Sequence, residues 1–306
     1  MTNATPSRPL FLSAGLSGKT PLTDPEFAAN VVALAEAAGI DLLLLGETAP
    51  GEPTPAFDPL VTASWLAPRA GGVGLVAYVP ALEAEPFHVA RALSALDFMH
   101  AGRSGWMPGL GGRGVPRVGA GAAIPPEQEI PKARDFVAAA CSLWDSWDAD
   151  ALIIDTASGI YLDPDKVRPC NYEGAFFKIR GPLNAMRPPQ GHPLLVQTDR
   201  DPLWRELATD VLITDGDAPP GRADQRRSLR FAPARWNAAG LDDAQRRCDS
   251  SAIEGLHLVL GDAAAELPRF ASEILPELRR RGLWAPTDRS ATLRARLGLP
   301  TPGARR

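Results

Sequence analysis

The feature that most constrains the fold of this chain is a series of short apolar runs that contain no alternating polar residues. Segments with the periodicity of amphipathic helices separate these runs. The clearest run is Asp41-Leu-Leu-Leu-Leu45, whose four successive leucines leave no polar face. A strand of this kind is buried on both faces, which is typical of a parallel sheet covered by helices. Similar runs occupy residues 9–14 and 72–79, and amphipathic patterns lie between the runs at about 24–38 and 59–68. The alternation predicts an α/β fold.

The full pattern predicts eight strands. After the first three, the expected strands are residues 105–110, 193–197, 211–214, 229–232 and 255–260. Eight strands with interleaved helices in 306 residues predict a (β/α)8 TIM barrel that forms a single domain over residues 1–306. A doubly wound open sheet is the alternative. Residues 147–191 are rich in turns, which indicates a long loop-rich excursion between strands four and five.

Charge and composition exclude several classes of protein. The 32 basic and 36 acidic residues give a net charge of −4, which predicts neither a nucleic-acid partner nor a membrane surface. The three cysteines are far apart in the sequence, so that neither a metal site nor a disulfide framework is expected. Residues 1–10 lack the pattern of a signal peptide, and the longest apolar run is too short to span a bilayer. The expected compartment is the cytoplasm.

The functional residues are expected where the strands end, because catalysis in such barrels takes place at the C-terminal mouth. The side chains that this rule selects are Glu47 after strand two, Tyr78 and Pro80 at strand three, Trp106 and Met107 at strand four, and Gln197, Thr198 and Arg200 at strand five.

Histidines are the other candidates for chemistry. His88 lies near the start of the helix after strand three, where it is the histidine placed to act as a catalytic base. A structural hydrogen bond at a helix end is the alternative for this side chain. His257 lies inside strand eight and is expected in the core or the barrel wall.

Several blocks of the sequence resemble one family of enzymes. The more specific ones include Leu143-Trp-Asp-Ser-Trp-Asp-Ala-Asp-Ala-Leu152 and Pro188-Pro-Gln-Gly-His-Pro-Leu-Leu-Val-Gln197. The matching blocks keep the family's order and cover most of the chain, at 87–106, 143–152, 163–167, 176–184, 188–197, 276–284 and 292–300. On these blocks the chain is similar to the bacterial luciferase-like flavin-dependent monooxygenases, in the nitrilotriacetate monooxygenase component A and dibenzothiophene-sulfone monooxygenase group.

The resemblance implies a fold and an activity. Members of this group are (β/α)8 barrels that use reduced FMN, supplied by a separate flavin reductase, and O2 to insert one oxygen atom into a small organic substrate. They are considerably longer than this chain, and the shortfall predicts a trimmed insertion before strand eight. The resemblance also implies association into oligomers, either with further copies or with a homologous subunit.

The clearest departure from the family lies where its members hold the flavin phosphate. The family turn Gln-Ala-Gly-x-Ser is Gln197-Thr-Asp-Arg-Asp201 here, and a later glycine is Trp204. Two carboxylates, those of Asp199 and Asp201, therefore replace a glycine and a hydroxyl. A like-charge contact at about 4 Å costs roughly 1 kcal/mol in water and about 4 kcal/mol at an effective dielectric of 20. Arg200 is the residue expected to compensate by pairing with the phosphate.

Two functional hypotheses remain open from the sequence. The first is a divergent flavin monooxygenase with a rebuilt cofactor site. The second is a non-catalytic paralogue that has lost flavin binding and acts as a partner subunit or a ligand-binding protein. A shared fold does not decide between them.

Overall fold

The computed structural model describes residues 9–16, 22, 24–46, 57–111, 124–216, 225–250 and 253–303, and its central feature is a closed barrel of eight parallel strands. In chain order, the barrel strands are β1 (Phe11–Leu16), β2 (Leu42–Leu45), β3 (Gly74–Pro80), β4 (Ser104–Gly109), β5 (Leu194–Thr198), β6 (Val211–Thr214), β7 (Arg226–Arg230) and β8 (Gly255–Leu260). Because β1 pairs with both β2 and β8, the ring is complete. The predicted (β/α)8 barrel is confirmed, and the open sheet is wrong.

Helices cover the outside and one end of this barrel. They are α1 (Pro25–Ala37), α2 (Pro59–Leu66), α3 (Pro86–Met99), α4 (Pro126–Trp144), α5 (Ala238–Asp249), α6 (Ala263–Arg269), α7 (Leu275–Arg280) and α8 (Leu293–Leu297). Each of the first four begins at a proline, whose fixed φ suits the first helical position. Across the described residues, none of the helices combines the length and the apolar character that crossing a bilayer requires.

Two helical predictions need correction. The short helix expected at 204–208 is instead a 3₁₀ turn, Pro202–Arg205, that connects β5 to β6. Helix α5 is an addition to the predicted pattern, and apart from Gly240 it buries only the side chains of Leu241, Ala244 and Cys248. Asn237 caps α5 by accepting a hydrogen bond from the Gly240 backbone N–H, 3.0 Å away.

The apolar side chains form two clusters, one on each side of the barrel wall. Consecutive residues of a strand point to opposite faces, so alternate positions enter different clusters. The inner cluster fills the barrel with residues such as Leu44, Val76, Val196 and Ile213. The outer cluster lies between the strands and the helices and contains most of the remaining core.

Helix α8 closes the N-terminal end of the barrel. Leu293 and Leu297 pack into the inner cluster, and a Cβ on Gly74, at the start of β3, would lie 2.6 Å from Leu293. The neighbouring Arg294 is nearly buried and forms a two-pronged ion pair with Asp210 at 2.7 and 2.9 Å. The chain's C-terminal region is thus held to the barrel by both apolar packing and a buried charge pair.

The predicted excursion between β4 and β5 is confirmed, and it contains two short antiparallel hairpins after α4. The first pairs Leu152–Asp155 with Ile160–Leu162, and the second pairs Tyr172–Glu173 with Lys178–Ile179. Asp135 on α4 anchors the second hairpin, because it accepts hydrogen bonds from the backbone N–H groups of Phe176 and Phe177.

We expect Arg294→Ala to lower the free energy of unfolding by about 3–5 kcal/mol, because it leaves the mostly buried Asp210 carboxylate with the Leu195 backbone N–H but no cation. Urea unfolding followed by circular dichroism measures the change. The matched control is Arg269→Ala, which removes an exposed pair with Glu273 and is expected to cost less than about 1 kcal/mol. Equal losses in the two variants would contradict the structural role of Arg294.

Candidate functional site

The mouth of the barrel lies at the carboxyl ends of the strands, and alternation along each strand decides which side chains enter it. Met107 belongs to the inner cluster, and Tyr78 packs against that cluster from β3. Thr198 follows the inward-facing Val196 by two residues, so it shares the same face of β5. Pro80, which ends β3, is half-buried at the rim. The structure therefore brings four of the predicted residues to the mouth.

Two predicted residues face the helices instead. Trp106 belongs to the outer cluster, where its ring packs edge-to-face against Trp144 of α4 with centroids 5.5 Å apart. Gln197 alternates with the inward-facing Val196 and donates from Nε2 to the Pro108 carbonyl oxygen at 2.5 Å. Trp106 and Met107 are adjacent on one strand, so both could not face the mouth. The expectation that Trp106 and Gln197 line the mouth is corrected accordingly.

Tyr78 is held rigidly in a neutral state. Its hydroxyl oxygen accepts a hydrogen bond from the Gly111 backbone N–H at 2.9 Å, which fastens the end of β4 over β3. Burial, together with the nearby carboxylates of Asp201 and Glu83, raises the pKa of Tyr78 to about 12. The phenol therefore stays protonated at neutral pH.

A buried guanidinium lies on the opposite side of the mouth. The side chain of Arg230, the last residue of β7, is only 4% exposed. One of its terminal nitrogens donates to Asp199 at 2.6 Å and to Asp215 at 3.1 Å, and the other donates to the Thr198 hydroxyl. A cation this deeply buried requires counter-charges, and the two aspartates supply them.

This pairing changes the interpretation of the acidic turn after β5. Burial opposes ionisation of Asp199, but hydrogen bonds from Arg230 and from the Asp215 backbone N–H keep its pKa below the usual value. Asp201 accepts hydrogen bonds from the backbone N–H groups of Leu203 and Leu110, so it caps the 3₁₀ turn. The predicted repulsion of a phosphate by Asp199 and Asp201 is therefore corrected. The first is neutralised by a cation and the second is occupied by backbone donors.

Arg200 lies at the rim of the same charged group. Its guanidinium is about half exposed and contacts the Asp215 carboxylate at 3.3–3.5 Å. These long contacts leave Arg200 only loosely paired. The group therefore contains two guanidiniums, from Arg200 and Arg230, and two carboxylates, from Asp199 and Asp215, and its formal charge is zero.

His88 does not join this group. His88 is the third residue of α3, and its exposed ring makes an edge contact with Phe87. Among the contacts of the described residues, none connects His88 with Tyr78 or Arg230. Glu47 lies outside the described residues.

A second polar group lies inside the barrel. His257 of β8 is fully buried, and its Nδ1 lies 2.9 Å from the hydroxyl of Ser13 on β1. That hydroxyl lies 3.4 Å from the hydroxyl of Ser228 on β7. The expected core position of His257 is confirmed, and the pairing of β7 with β8 places this residue beside Arg230.

Two features of the described part of the mouth are relevant to a flavin nucleotide. A Cβ on Gly109 would lie 2.5 Å from the Tyr78 ring, so this glycine lets the phenol pack directly against the β4 backbone. A Cβ on Gly46, which has a positive φ, would lie 2.6 Å from Pro59 and 3.1 Å from the Tyr78 Cβ, so this glycine also lets the chain pack closely around Tyr78. The arginines and Thr198 offer donors of the type that bind phosphate.

Sequence reasoning missed Arg230 and Asp215. The predicted seventh strand, 229–232, begins three residues too late, whereas β7 spans Arg226–Arg230 and is rich in arginine. The available signal was a charged residue inside an apolar run, Leu229-Arg-Phe231, because strands of a barrel wall rarely carry an unpaired charge.

Comparison with known proteins places the chain in a family. Residues 10–267 match the family model described as luciferase-like monooxygenase. The chain therefore belongs to the luciferase-like monooxygenase family.

Individual relatives differ in how much of their length is matched. Dibenzothiophene-sulfone monooxygenase from Rhodococcus erythropolis is 29% identical over 217 residues, covering 70% of this chain but only 47% of that enzyme. The chain thus spans about half the length of this relative. One subunit of pristinamycin IIA synthase from Streptomyces pristinaespiralis is 30% identical over 297 residues, covering 96% of both chains. The other matching subunit of that synthase is 30% identical over 126 residues, covering 39% of this chain and 25% of that protein.

Solved structures agree on the architecture. The structure of riboflavin lyase with modified FMN and riboflavin superposes with a TM-score of 0.78 at 19% identity, covering 96% of this chain and 97% of the lyase. At this identity the likeness establishes the shared fold.

We expect Asp199→Asn to lower the free energy of unfolding at pH 7 by about 2 kcal/mol, because it removes a charged partner of a buried guanidinium. The pKa of Asp199 lies below its usual value in the folded state. The difference in free energy of unfolding between the wild type and Asp199→Asn is therefore fully present above the unfolded-state pKa of about 4. It disappears as the pH falls through the lower folded-state pKa. Urea unfolding at pH 7, 5, 4 and 3 measures this dependence, and a difference that stays constant across the series would contradict it.

Proposed function

We propose that this chain is the oxygenase component of a two-component monooxygenase. It binds reduced FMN from a separate flavin reductase and uses O2 to insert one oxygen atom into a small organic substrate. The observation that carries the proposal is the mouth of the luciferase-like barrel, where Tyr78, packed against Gly109, faces a buried guanidinium across the opening.

The residues of the mouth divide into those that would bind the phosphate of FMN and those that would contact its ring system. Arg230, Arg200 and the Thr198 hydroxyl would hold the phosphate, and Tyr78, Met107 and Gly109 would border the ring system. Reduced FMN, when bound, supplies the electrons that activate O2. The side chains contribute orientation and the exclusion of water, because oxygen chemistry of this kind belongs to the cofactor.

The protein's own acid–base contribution is small in this arrangement. The neutral phenol of Tyr78 holds its proton near Gly109 up to a pH of about 12. The proposal assigns no proton transfer to His88, whose exposed ring contacts Phe87 on the first turn of α3.

We expect Gly109→Ala to weaken the binding of FMN at least tenfold, because the added methyl group would overlap the Tyr78 ring and force the phenol out of its position at the mouth. Anaerobic titration with oxidised and reduced FMN, followed by flavin fluorescence and absorbance, measures the dissociation constants. The control is Gly303→Ala, whose Cβ has no atom within 4 Å among the described residues. A wild-type protein that binds neither redox state at high micromolar concentration would contradict the proposal and favour the non-catalytic paralogue.

We further propose that the chain assembles with a homologous luciferase-like protein. The match to nearly all of one subunit of pristinamycin IIA synthase, and to part of another, supports this assembly. On the described surface, three large apolar side chains lie four residues apart at α2: Phe57, Val61 and Trp65, which are 58%, 65% and 36% exposed. Val61 and Trp65 share one face of α2, Phe57 lies just before the helix, and an exposed apolar stripe of this kind marks an interface.

Substituting Val61→Asp is expected to convert the assembled form to a monomer, because a charge at the centre of the stripe would be buried without a partner. Analytical ultracentrifugation of the chain, alone and co-expressed with its homologous partner, measures the change. The matched control is Met99→Asp at the end of α3, an apolar side chain that is 54% exposed. The interface would lie elsewhere if both variants assembled like the wild type.

A further inference from the structure

The carboxylate of Asp215 lies between two arginines at the mouth of the barrel. Its Oδ2 atom is 3.1 Å from an Arg230 terminal nitrogen and 3.3 Å from the Arg200 terminal nitrogen. A carboxylate that bridges two guanidiniums occupies the position that the oxygens of a phosphate monoester prefer, because both anions accept forked N–H donors. The arginine pair (Arg200 and Arg230) is therefore an anion site to which the chain itself supplies the anion.

The two aspartates of the group differ in how firmly they are held. Asp199 is 19% exposed, and besides its 2.6 Å contact with Arg230 it accepts a backbone N–H. The Asp215 side chain is 54% exposed, and its contacts with Arg200 are all 3.3 Å or longer. An incoming anion therefore displaces Asp215 before Asp199, since the exposed carboxylate regains hydration when it leaves.

We propose that Asp215 is an internal competitor for the phosphate-binding arginine pair, and that a phosphate monoester binds by displacing its carboxylate. This inference rests on the proposed function insofar as the monoester is that of FMN. A phosphorylated substrate carries the same chemistry, and the arms of the test below separate the two sources. Asp199 stays paired with Arg230 throughout, so that the arginine pair gains one free positive charge when Asp215 leaves.

The test compares FMN with riboflavin, which has the same ring system but no phosphate. Asp215→Asn keeps the shape of the side chain and removes its charge, so it is expected to tighten the binding of FMN about five- to tenfold. The affinity for riboflavin is expected to stay unchanged. The matched control is Asp242→Asn, which removes a carboxylate of similar exposure that pairs with Arg281 on another part of the surface. Thermal melting of each variant confirms that it is folded.

A second variant and a second ligand keep the test decisive. Arg200→Gln is expected to weaken the binding of FMN and to leave the binding of riboflavin unchanged. When Arg200→Gln is already present, Asp215→Asn is expected to raise the affinity for FMN less than it does in the otherwise wild-type protein. Isothermal titration with inorganic phosphate is expected to show tighter binding to Asp215→Asn than to the wild type.

The outcomes separate this inference from the proposed function. If both flavins bind but Asp215→Asn changes neither affinity, the inference is overturned while flavin binding stands. If neither flavin binds, the proposed function fails, and the phosphate titration decides the inference. If Asp215→Asn binds phosphate more tightly than the wild type, the result supports a phosphorylated substrate as the ligand. If the two proteins bind phosphate equally, or neither binds it, the proposal that the arginine pair is an anion site is overturned.

Discussion

The ion pair between Arg230 and Asp199 is the interaction on which the chemistry of the mouth depends. A guanidinium that is 4% exposed at the end of a barrel strand would be very unfavourable without an anion beside it. Asp199, 31 residues earlier in the chain, supplies that anion and is itself kept ionised by the contact. Because the pair spans β5 and β7, it also fixes the relative positions of two strand ends that are not neighbours in the barrel.

The same pair shows where prediction from the sequence succeeds and where it stops. The barrel could be predicted because strands such as Leu42–Leu45 are apolar on both faces, and only a covered parallel sheet buries them. The role of Asp199 could not be predicted, because a carboxylate opposes the binding of an anion only when no cation beside it neutralises its charge. That charge is on Arg230, and no local pattern connects residues so far apart. Seen in isolation, the aspartate repels a phosphate, whereas beside the guanidinium it acts as a counterion.

The alternating direction of side chains along a strand explains why Trp106 and Gln197 do not line the mouth as predicted. Trp106 and Met107 are adjacent on β4, so the strand directs their side chains to opposite sides of the barrel wall and only one of them can face the mouth. Trp106 stabilises the contact between the barrel and α4, and Met107 fills the barrel. The signal for helix α5 was present in the sequence, because Leu241, Ala244 and Cys248 recur at helical spacing while polar residues fill the opposite face. Local rules therefore located the strand ends but not the direction of each side chain.

The charge balance of the mouth also distinguishes this chain from the family pattern that it resembles. A glycine turn binds phosphate through backbone N–H groups, which carry no net charge and require no counterion. A buried side-chain guanidinium such as that of Arg230 needs a carboxylate when no ligand is bound, so in the mechanism proposed above the binding of an anion is an exchange of one partner for another. Affinity then depends on how readily the chain's own carboxylate leaves. The exposure of Asp215 and the burial of Asp199 decide which of the two is exchanged.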